Sequence, residues 1–317
     1  MARHSTGFQT TVRDRVTLDG IGVHSGKPVS MSILPADADT GVVFLRTNLP
    51  GSRDVEIPAN VRSVSATELC TVLGDMSGAF VATVEHLVAG LSGLGIDNVL
   101  IEIDGAEVPI MDGSAHDFVD AIDQVGIATL RNPRRYIKIL KPVRVESGAA
   151  FGELRPYDGL RMEVEIDYPS ALIGRQRFAA DMTPAVFRRD VARARTFGFL
   201  SDVERLWAAG YALGSSLENS VVLAEDRIVN PEGLRWTDEF VRHKVLDAIG
   251  DLALAGAPIL GCYRSYRGGH KLNSAMVAAL FADPEAWTYE TATITRESGH
   301  ADLSAGVPVP AFGPDVS

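Results

Sequence analysis

The apolar residues of this chain change their spacing along its length, and that change constrains the fold more than any other feature. Val29-Ser30-Met31-Ser32-Ile33-Leu34 alternates with a period of two, as a half-buried strand does. Before it, Arg15-Val16-Thr17-Leu18 reads as a short strand leading into the turn-rich Gly20-Ile21-Gly22-Val23-His24-Ser25-Gly26. From Thr83 the spacing becomes that of one helical face, with Val84, Leu87, Val88, Leu91 and Leu94 in line and Gly93 and Gly95 ending the run. Residues 98–103 return to a strand, closed by Asp104-Gly105, and the loop Pro109-Ile110-Met111-Asp112-Gly113 follows. Ser114-Ala115-His116-Asp117 then has the form of a capping box that opens a helix to about Gln124. Later the order repeats, with strands at 136–140, 143–145 and 161–166 and helical patterns at 184–193 and about 238–255. Strands followed by helices, twice over, imply an α+β chain with helices layered on sheets. Arg131-Asn132-Pro133-Arg134-Arg135 is polar and carries a proline, which makes it the linker expected between two domains. The expectation is therefore a first α+β domain over 1–132, a second over 133–295, and a flexible Pro-, Gly- and Ala-rich tail over 296–317.

Composition narrows the function classes. Of 317 residues, 46% are hydrophobic and 22% charged, which excludes a largely disordered chain. The net charge is −11 and no long run of Lys or Arg occurs, so a nucleic-acid partner is not expected. The two cysteines, Cys70 and Cys262, make no C-x-x-C pattern and no disulfide framework, as in a reducing compartment. Cys70 lies within Leu69-Cys70-Thr71-Val72-Leu73 and reads as a buried thiol. The first residues lack a signal-peptide core, and no apolar run approaches the ~18 residues of a spanning helix. A cytoplasmic protein with at most peripheral membrane contact is expected.

Four short segments carry candidate chemistry. In Phe240-Val241-Arg242-His243-Lys244-Val245-Leu246-Asp247-Ala248-Ile249-Gly250-Asp251-Leu252, a helix places His243, Asp247 and Asp251 one turn apart on one face. Val241, Val245, Ile249 and Leu252 fall roughly opposite. Imidazole and carboxylate at that spacing can share one zinc ion, although a solvated polar face produces the same pattern. In Thr83-Val84-Glu85-His86-Leu87, His86 could add a third ligand and Glu85 could act as a general base. An exposed first helical turn with a favourable acid is the plainer alternative. His270 follows Gly268-Gly269 at a junction where the backbone can bend sharply, and could be a general acid or a surface histidine. Thr196, in Arg195-Thr196-Phe197-Gly198-Phe199, could donate to a developing oxyanion or be ordinary strand.

Taken in order, these segments together with Gly93-Leu94-Gly95-Ile96-Asp97-Asn98, Pro109-Ile110-Met111-Asp112-Gly113-Ser114-Ala115 and the opening Gly20 to Lys27 loop form a longer pattern. From about residue 8 to about residue 290, the chain closely resembles the UDP-3-O-(3-hydroxyacyl)-N-acetylglucosamine deacetylases of lipid A synthesis. The resemblance implies two domains, each a sheet layered with helices, with the helices packed between the sheets and a zinc ion at the junction. It implies that His86, His243 and Asp247 ligate Zn2+, with Fe2+ also suited to such donors. It assigns Glu85 as general base and His270 as the second catalytic group, oriented by Asp251. Thr196 would stabilise the oxyanion, and Lys244 would hold charge beside the site. It implies a monomer acting on a UDP-sugar whose acyl chain runs along an apolar insert near 199–222. Asp112 ranks second as a site residue, and His24 reads as a structural or nucleotide-side group. His116 reads as a helix-start residue, and His4 and His300 as exposed ends. The absence of H-E-x-x-H argues against a zincin peptidase.

Overall fold

The structure, a computed structural model, describes residues 7–51 and 53–293. The expected tail at 296–317 lies outside the described residues, as do His4 and His300.

Two large sheets carry the architecture. The first has five strands in the order Val16–Ile21, Pro28–Pro35, Val99–Ile103, Val42–Arg46, Val55–Pro58. Val99–Ile103 lies at its centre, antiparallel to Pro28–Pro35 and parallel to Val42–Arg46. The alternation read in the sequence holds, because Val29, Met31 and Ile33 all turn into the core. The second sheet has seven strands, on a path Val143–Ser147, Ala150–Arg155, Ile259–Tyr266, Arg135–Ile139, Trp287–Thr291. Leu160–Asp167 runs parallel to Ile259–Tyr266 and pairs in turn with Arg175–Asp181. Met162, Val164 and Ile166 point inward from it, while Glu163 and Glu165 face the wetter side.

Six α-helices accompany the sheets among the described residues: α1 Glu85–Leu94, α2 His116–Val125, α3 Pro184–Val186, α4 Leu200–Ala208, α5 Glu239–Ala253 and α6 His270–Ala282. The short α3 runs on into a π-helical turn, Phe187–Val191. α1 packs on α5, α5 lies over the strands Leu160–Asp167 and Arg175–Asp181, and α6 covers Val143–Ser147 and Ala150–Arg155. The fold is therefore the expected α+β arrangement, with helix packed on helix between sheets. One continuous apolar core runs through it, from Ile33, Phe44 and Ile101 through Leu87 and Leu91 to Ile249 and Met162. No helix of the described residues is long and apolar enough to cross a membrane.

Local details differ from the sequence reading. Gly95 alone ends α1, in the left-handed conformation at φ 77°. Gly93 stays inside the helix, where a Cβ would stand 2.4 Å from the Phe187 ring, so it is a packing glycine rather than a stop. The capping box does not form, and α2 starts at His116 behind Ala115, with no side-chain cap bond. The Ser114 hydroxyl accepts from the His116 N–H at 3.1 Å, but the Ser114 N–H goes back to Asp112 at 2.9 Å and not to Asp117. The polar segment expected as a linker is not free. Residues 131–133 complete the strand Ile127–Pro133, which pairs antiparallel with Phe8–Val12. Arg134 is buried, and its guanidinium grips Asp97 through Nη2 at 2.7 Å and Nε at 2.9 Å. It also donates to the Gly95 carbonyl that ends α1.

A cleft of about 560 Å³ opens beside the C-terminal end of α1, lined by Val88, Leu91, Gly95, Asp97, Arg134 and Ile249 among others. The chemistry described next sits at the opposite, N-terminal end of α1.

Candidate active site

Three helices meet at this end. α1 begins with Glu85 and His86, α5 presents His243, Asp247 and Asp251 along one face, and α6 begins with His270. What lets α1 approach α5 so closely is Gly250. A Cβ there would lie 2.1 Å from the carbonyl oxygen of Glu85, so only glycine lets the first turn of α1 rest on α5. The backbone entering α1 is also unusual. Thr83 has φ 58°, rare for a β-branched residue, and its hydroxyl is held by Glu107 at 3.1 Å. Glu107 in turn accepts from the His24 and Ser25 N–H groups, which ties the glycine-rich loop to the start of α1.

The face of α5 that a solvated helix would expose is buried. His243, Asp247 and Asp251 are each 1% exposed, and Glu85 and His86 are 3% and 5% exposed. That removes the plainer readings of both segments, because unpaired ionisable groups are not buried without a compensating partner.

His86, His243 and Asp247 converge. Their donor atoms all lie within 4.8 Å of one another. Asp247 Oδ1 stands 3.5 Å from His86 Nε2 and 3.2 Å from His243 Nε2, close to the ~3.3 Å that separates ligands set ~2 Å from one tetrahedral ion. Asp247 Oδ1 is buried with no hydrogen-bond partner, whereas Oδ2 accepts from Lys244 Nζ at 2.7 Å. His243 Nδ1 lies 3.0 Å from the Ala194 carbonyl, which can only accept, so the proton sits on Nδ1 and the Nε2 lone pair points inward. Burial lowers the His243 pKa to about 3 despite the Asp247 carboxylate, so the ring is neutral, as a ligand must be. Burial opposes ionisation of Asp247 too, but His243 and Lys244 outweigh it and hold the carboxyl well below its usual range. Burial would likewise discharge Lys244, yet Asp247 beside it raises its pKa and keeps it charged. Two imidazoles and one carboxylate, with an orphaned carboxylate oxygen between them, fit a single divalent ion such as Zn2+ or Fe2+.

Glu85 and His270 adjoin this donor set. Glu85 Oε1 is 3.7 Å from His270 Nε2, and His270 Nδ1 donates to Asp251 Oδ2 at 2.9 Å. Burial pushes the Glu85 pKa up, against the pull of His270 and His86. Burial alone would discharge His270, but Asp251 and Glu85 outweigh it and raise its pKa to about 10. The two groups are thus poised as a proton acceptor and a proton donor.

Thr196 lies between Ala194, whose carbonyl orients His243, and the short strand Phe197–Phe199, where the Phe197 ring packs 6.1 Å from His243. Its methyl faces the Gly113 loop, and its N–H donates to the Gly113 carbonyl at 2.8 Å. Asp112, the second-rank candidate, is engaged by Ser114 and by Arg235 at 2.8 Å and belongs to the wall of this loop, not to the donor set. His116 begins α2 and lies 3.4 Å from Asp120. The His24 ring stacks edge-on with Tyr211, 6.1 Å between centroids. Cys70 is buried, and burial raises its thiol pKa to about 12, so it is inert as a nucleophile.

Sequence reasoning missed several contributors. Gly250 carried a signal, since a glycine inside a helix is costly and marks a close approach. Thr71 and Asn273 carried none. The Thr71 hydroxyl donates to Asp251 Oδ1 at 2.6 Å, and Asn273 Nδ2 donates to Asp251 Oδ2 at 2.8 Å.

Comparison with known proteins agrees with this geometry. A model of the UDP-3-O-acyl N-acetylglycosamine deacetylase (LpxC) family matches residues 9–282. Proteins named UDP-3-O-acyl-N-acetylglucosamine deacetylase from Brucella ovis and Brucella canis are each 57% identical over 281 residues, covering 88% of this chain and 97% of theirs. One of that name from Brucella melitensis biotype 2 is 56% identical over the same span. With most of its length matched at that identity and a buried His-His-Asp donor set in place, the chain belongs to the UDP-3-O-acyl N-acetylglycosamine deacetylase family.

Proposed function

We infer that the chain is a metal-dependent amide hydrolase that removes the N-acetyl group of UDP-3-O-(3-hydroxyacyl)-N-acetylglucosamine, giving the free amine and acetate, in lipid A synthesis. The observation that carries this reading is the buried His86, His243 and Asp247 donor set with Glu85 and His270 beside it. Family membership supplies the substrate class.

When bound, a zinc or iron(II) ion held by these three residues supplies Lewis acidity, which polarises the amide carbonyl and makes water more acidic. Lys244 occupies Asp247 Oδ2, leaving Oδ1 as the ligand atom. Glu85 accepts the proton of the attacking water on Oε1. The Thr196 hydroxyl donates to the oxyanion of the tetrahedral intermediate. His270, its ring fixed through Nδ1 to Asp251, delivers the Nε2 proton to the departing amine. No covalent enzyme intermediate is needed.

We assign the acyl chain to the segment 199–222. Leu200, Trp207, Tyr211, Leu213 and Leu217 there are exposed, an apolar face suited to a hydrocarbon chain, whereas Val221 and Val222 belong to the core. We also propose a cytoplasmic monomer with at most peripheral membrane contact. A division into domains at 132/133 is supported by each large sheet drawing its strands from one side of that point.

The test is acetate release from UDP-3-O-(3-hydroxyacyl)-N-acetylglucosamine before and after chelation and zinc restoration. Chelator-sensitive release that zinc restores is expected. No release from folded, metal-replete protein across several acyl lengths would overturn the reading.

A further inference from the structure

Thr71 lies in the turn before the short strand Val72–Gly74 and is 1% exposed. Both of its donors go to carboxylates of the active site. The backbone N–H donates to Glu85 Oε2 at 3.0 Å, and the hydroxyl donates to Asp251 Oδ1 at 2.6 Å. Its carbonyl accepts the Val84 N–H at the entrance to α1. A buried threonine hydroxyl can satisfy itself on a nearby backbone carbonyl. This one reaches across 180 residues of sequence to a buried side-chain carboxylate instead. Charge-assisted bonds of this length are the stronger kind.

Two buried carboxylates are here held near one histidine. Thr71 spans both. With Oε2 occupied, Glu85 turns Oε1 toward His270 Nε2, 3.7 Å away. With Oδ1 occupied, Asp251 has Oδ2 for His270 Nδ1 and for Asn273, whose own carbonyl oxygen is fixed by the Tyr263 hydroxyl at 2.6 Å. His270 Nδ1–H is thereby tied to Asp251, and Nε2 is the nitrogen left to face Glu85.

We propose that Thr71 is a positioning residue of the hydrolytic reaction: its N–H and hydroxyl fix the Glu85 and Asp251 carboxylates relative to each other, so that the proton acceptor and the proton donor face one space. The inference rests on the hydrolase reading and adds to it a residue outside the metal donor set.

The experiment compares Thr71→Val, which keeps the shape and the N–H but loses the hydroxyl, with Thr71→Ser, which keeps both donors. Thr71→Val is expected to lower kcat about 10- to 100-fold, the loss of one hydrogen bond to a charged group, with KM and the metal-to-protein ratio unchanged. Thr71→Ser should recover most of that loss. In an Asp251→Asn background, Thr71→Val should have little further effect, because its partner has already been altered. The His270 Nδ1–H resonance, read by NMR without turnover and so independent of the reaction assigned, should move in Thr71→Val and return in Thr71→Ser. An unchanged kcat in Thr71→Val, an additive loss in the Asp251→Asn background, or an unmoved resonance would each overturn the proposal. Should Thr71→Val not fold, a Thr71→Ser protein with the full kcat deficit would overturn it as well.

Discussion

Glu85 and His270 occupy the same buried space, and their environments push them toward complementary tasks. Replacing Glu85 by Ala removes the acceptor but none of the three metal donors. Glu85→Ala should keep its metal stoichiometry and lose about 10²- to 10⁴-fold in kcat, measured by acetate release alongside elemental analysis. Near-normal turnover would remove Glu85 as the base. In the proposed reaction His270 is the proton donor, so its charge bears on the pH response. Its folded pKa, about 10, exceeds the ordinary 6.5, so its protonation stabilises the folded protein fully below about 6.5 and that contribution fades as pH rises through about 10. Asp251 is the main support of the raised value. Asp251→Asn should therefore move the alkaline limb of the kcat/KM profile to lower pH by about one unit or more. A limb that stays in place would mean that another group titrates there.

At the scale of elements, the site depends on how closely two helices approach. Helix spacing alone aligned His243, Asp247 and Asp251, because their side chains recur every turn of one rigid cylinder. His86 comes from a different helix, and its arrival depends on the missing Cβ at Gly250. Gly250→Ala would place a methyl against the Glu85 carbonyl and must push α1 away. About 1–3 kcal/mol of stability should be lost in denaturant titration, together with a fall in acetate release relative to the unsubstituted protein. Equal activity would mean that α1 can shift without disturbing Glu85 and His86. The unformed capping box of α2 and the buried glycine at position 93 make a related point. Both patterns were legible as helix-end signals, and both were overridden by neighbours, Asp112 in one case and the Phe187 ring in the other.

Across the whole molecule, the metal donors join segments from either side of the sequence. His86 lies on the helix that follows the first sheet's early strands, and His243 and Asp247 on the helix that covers the second sheet. An ion shared by them links the two halves and binds only the folded chain, so it should raise thermal stability by mass action. Chelation should lower Tm, zinc should restore it in a concentration-dependent way, and His243→Ala should abolish the response. An identical Tm with and without metal would count against the donor set. At the other end of α1, buried Arg134 and Asp97 make a second link between the chain entering the second sheet and the helix end.

The sequence by itself determined the type of several elements, among them the strand Pro28–Pro35 and the helices Glu85–Leu94 and Glu239–Ala253, together with the acidic net charge and the identity of the chemical groups. These follow from local periodicity and residue chemistry, which need no knowledge of the partner segment. Thr71 illustrates the rest: nothing in Leu69-Cys70-Thr71-Val72-Leu73 distinguishes a core threonine from one that holds two carboxylates. Likewise the segment 131–135 read as a linker because charge and proline are locally polar signals, while the burial of Arg134 depended on Asp97 arriving from the end of α1. Only the tertiary structure decided that the polar face of α5 is buried, that Asp247 Oδ1 stands unpartnered between two imidazoles, and that Glu85 meets His270. Those outcomes are set by packing between elements distant in sequence, where the desolvation of a charge and the partner that compensates it are contributed by different parts of the chain.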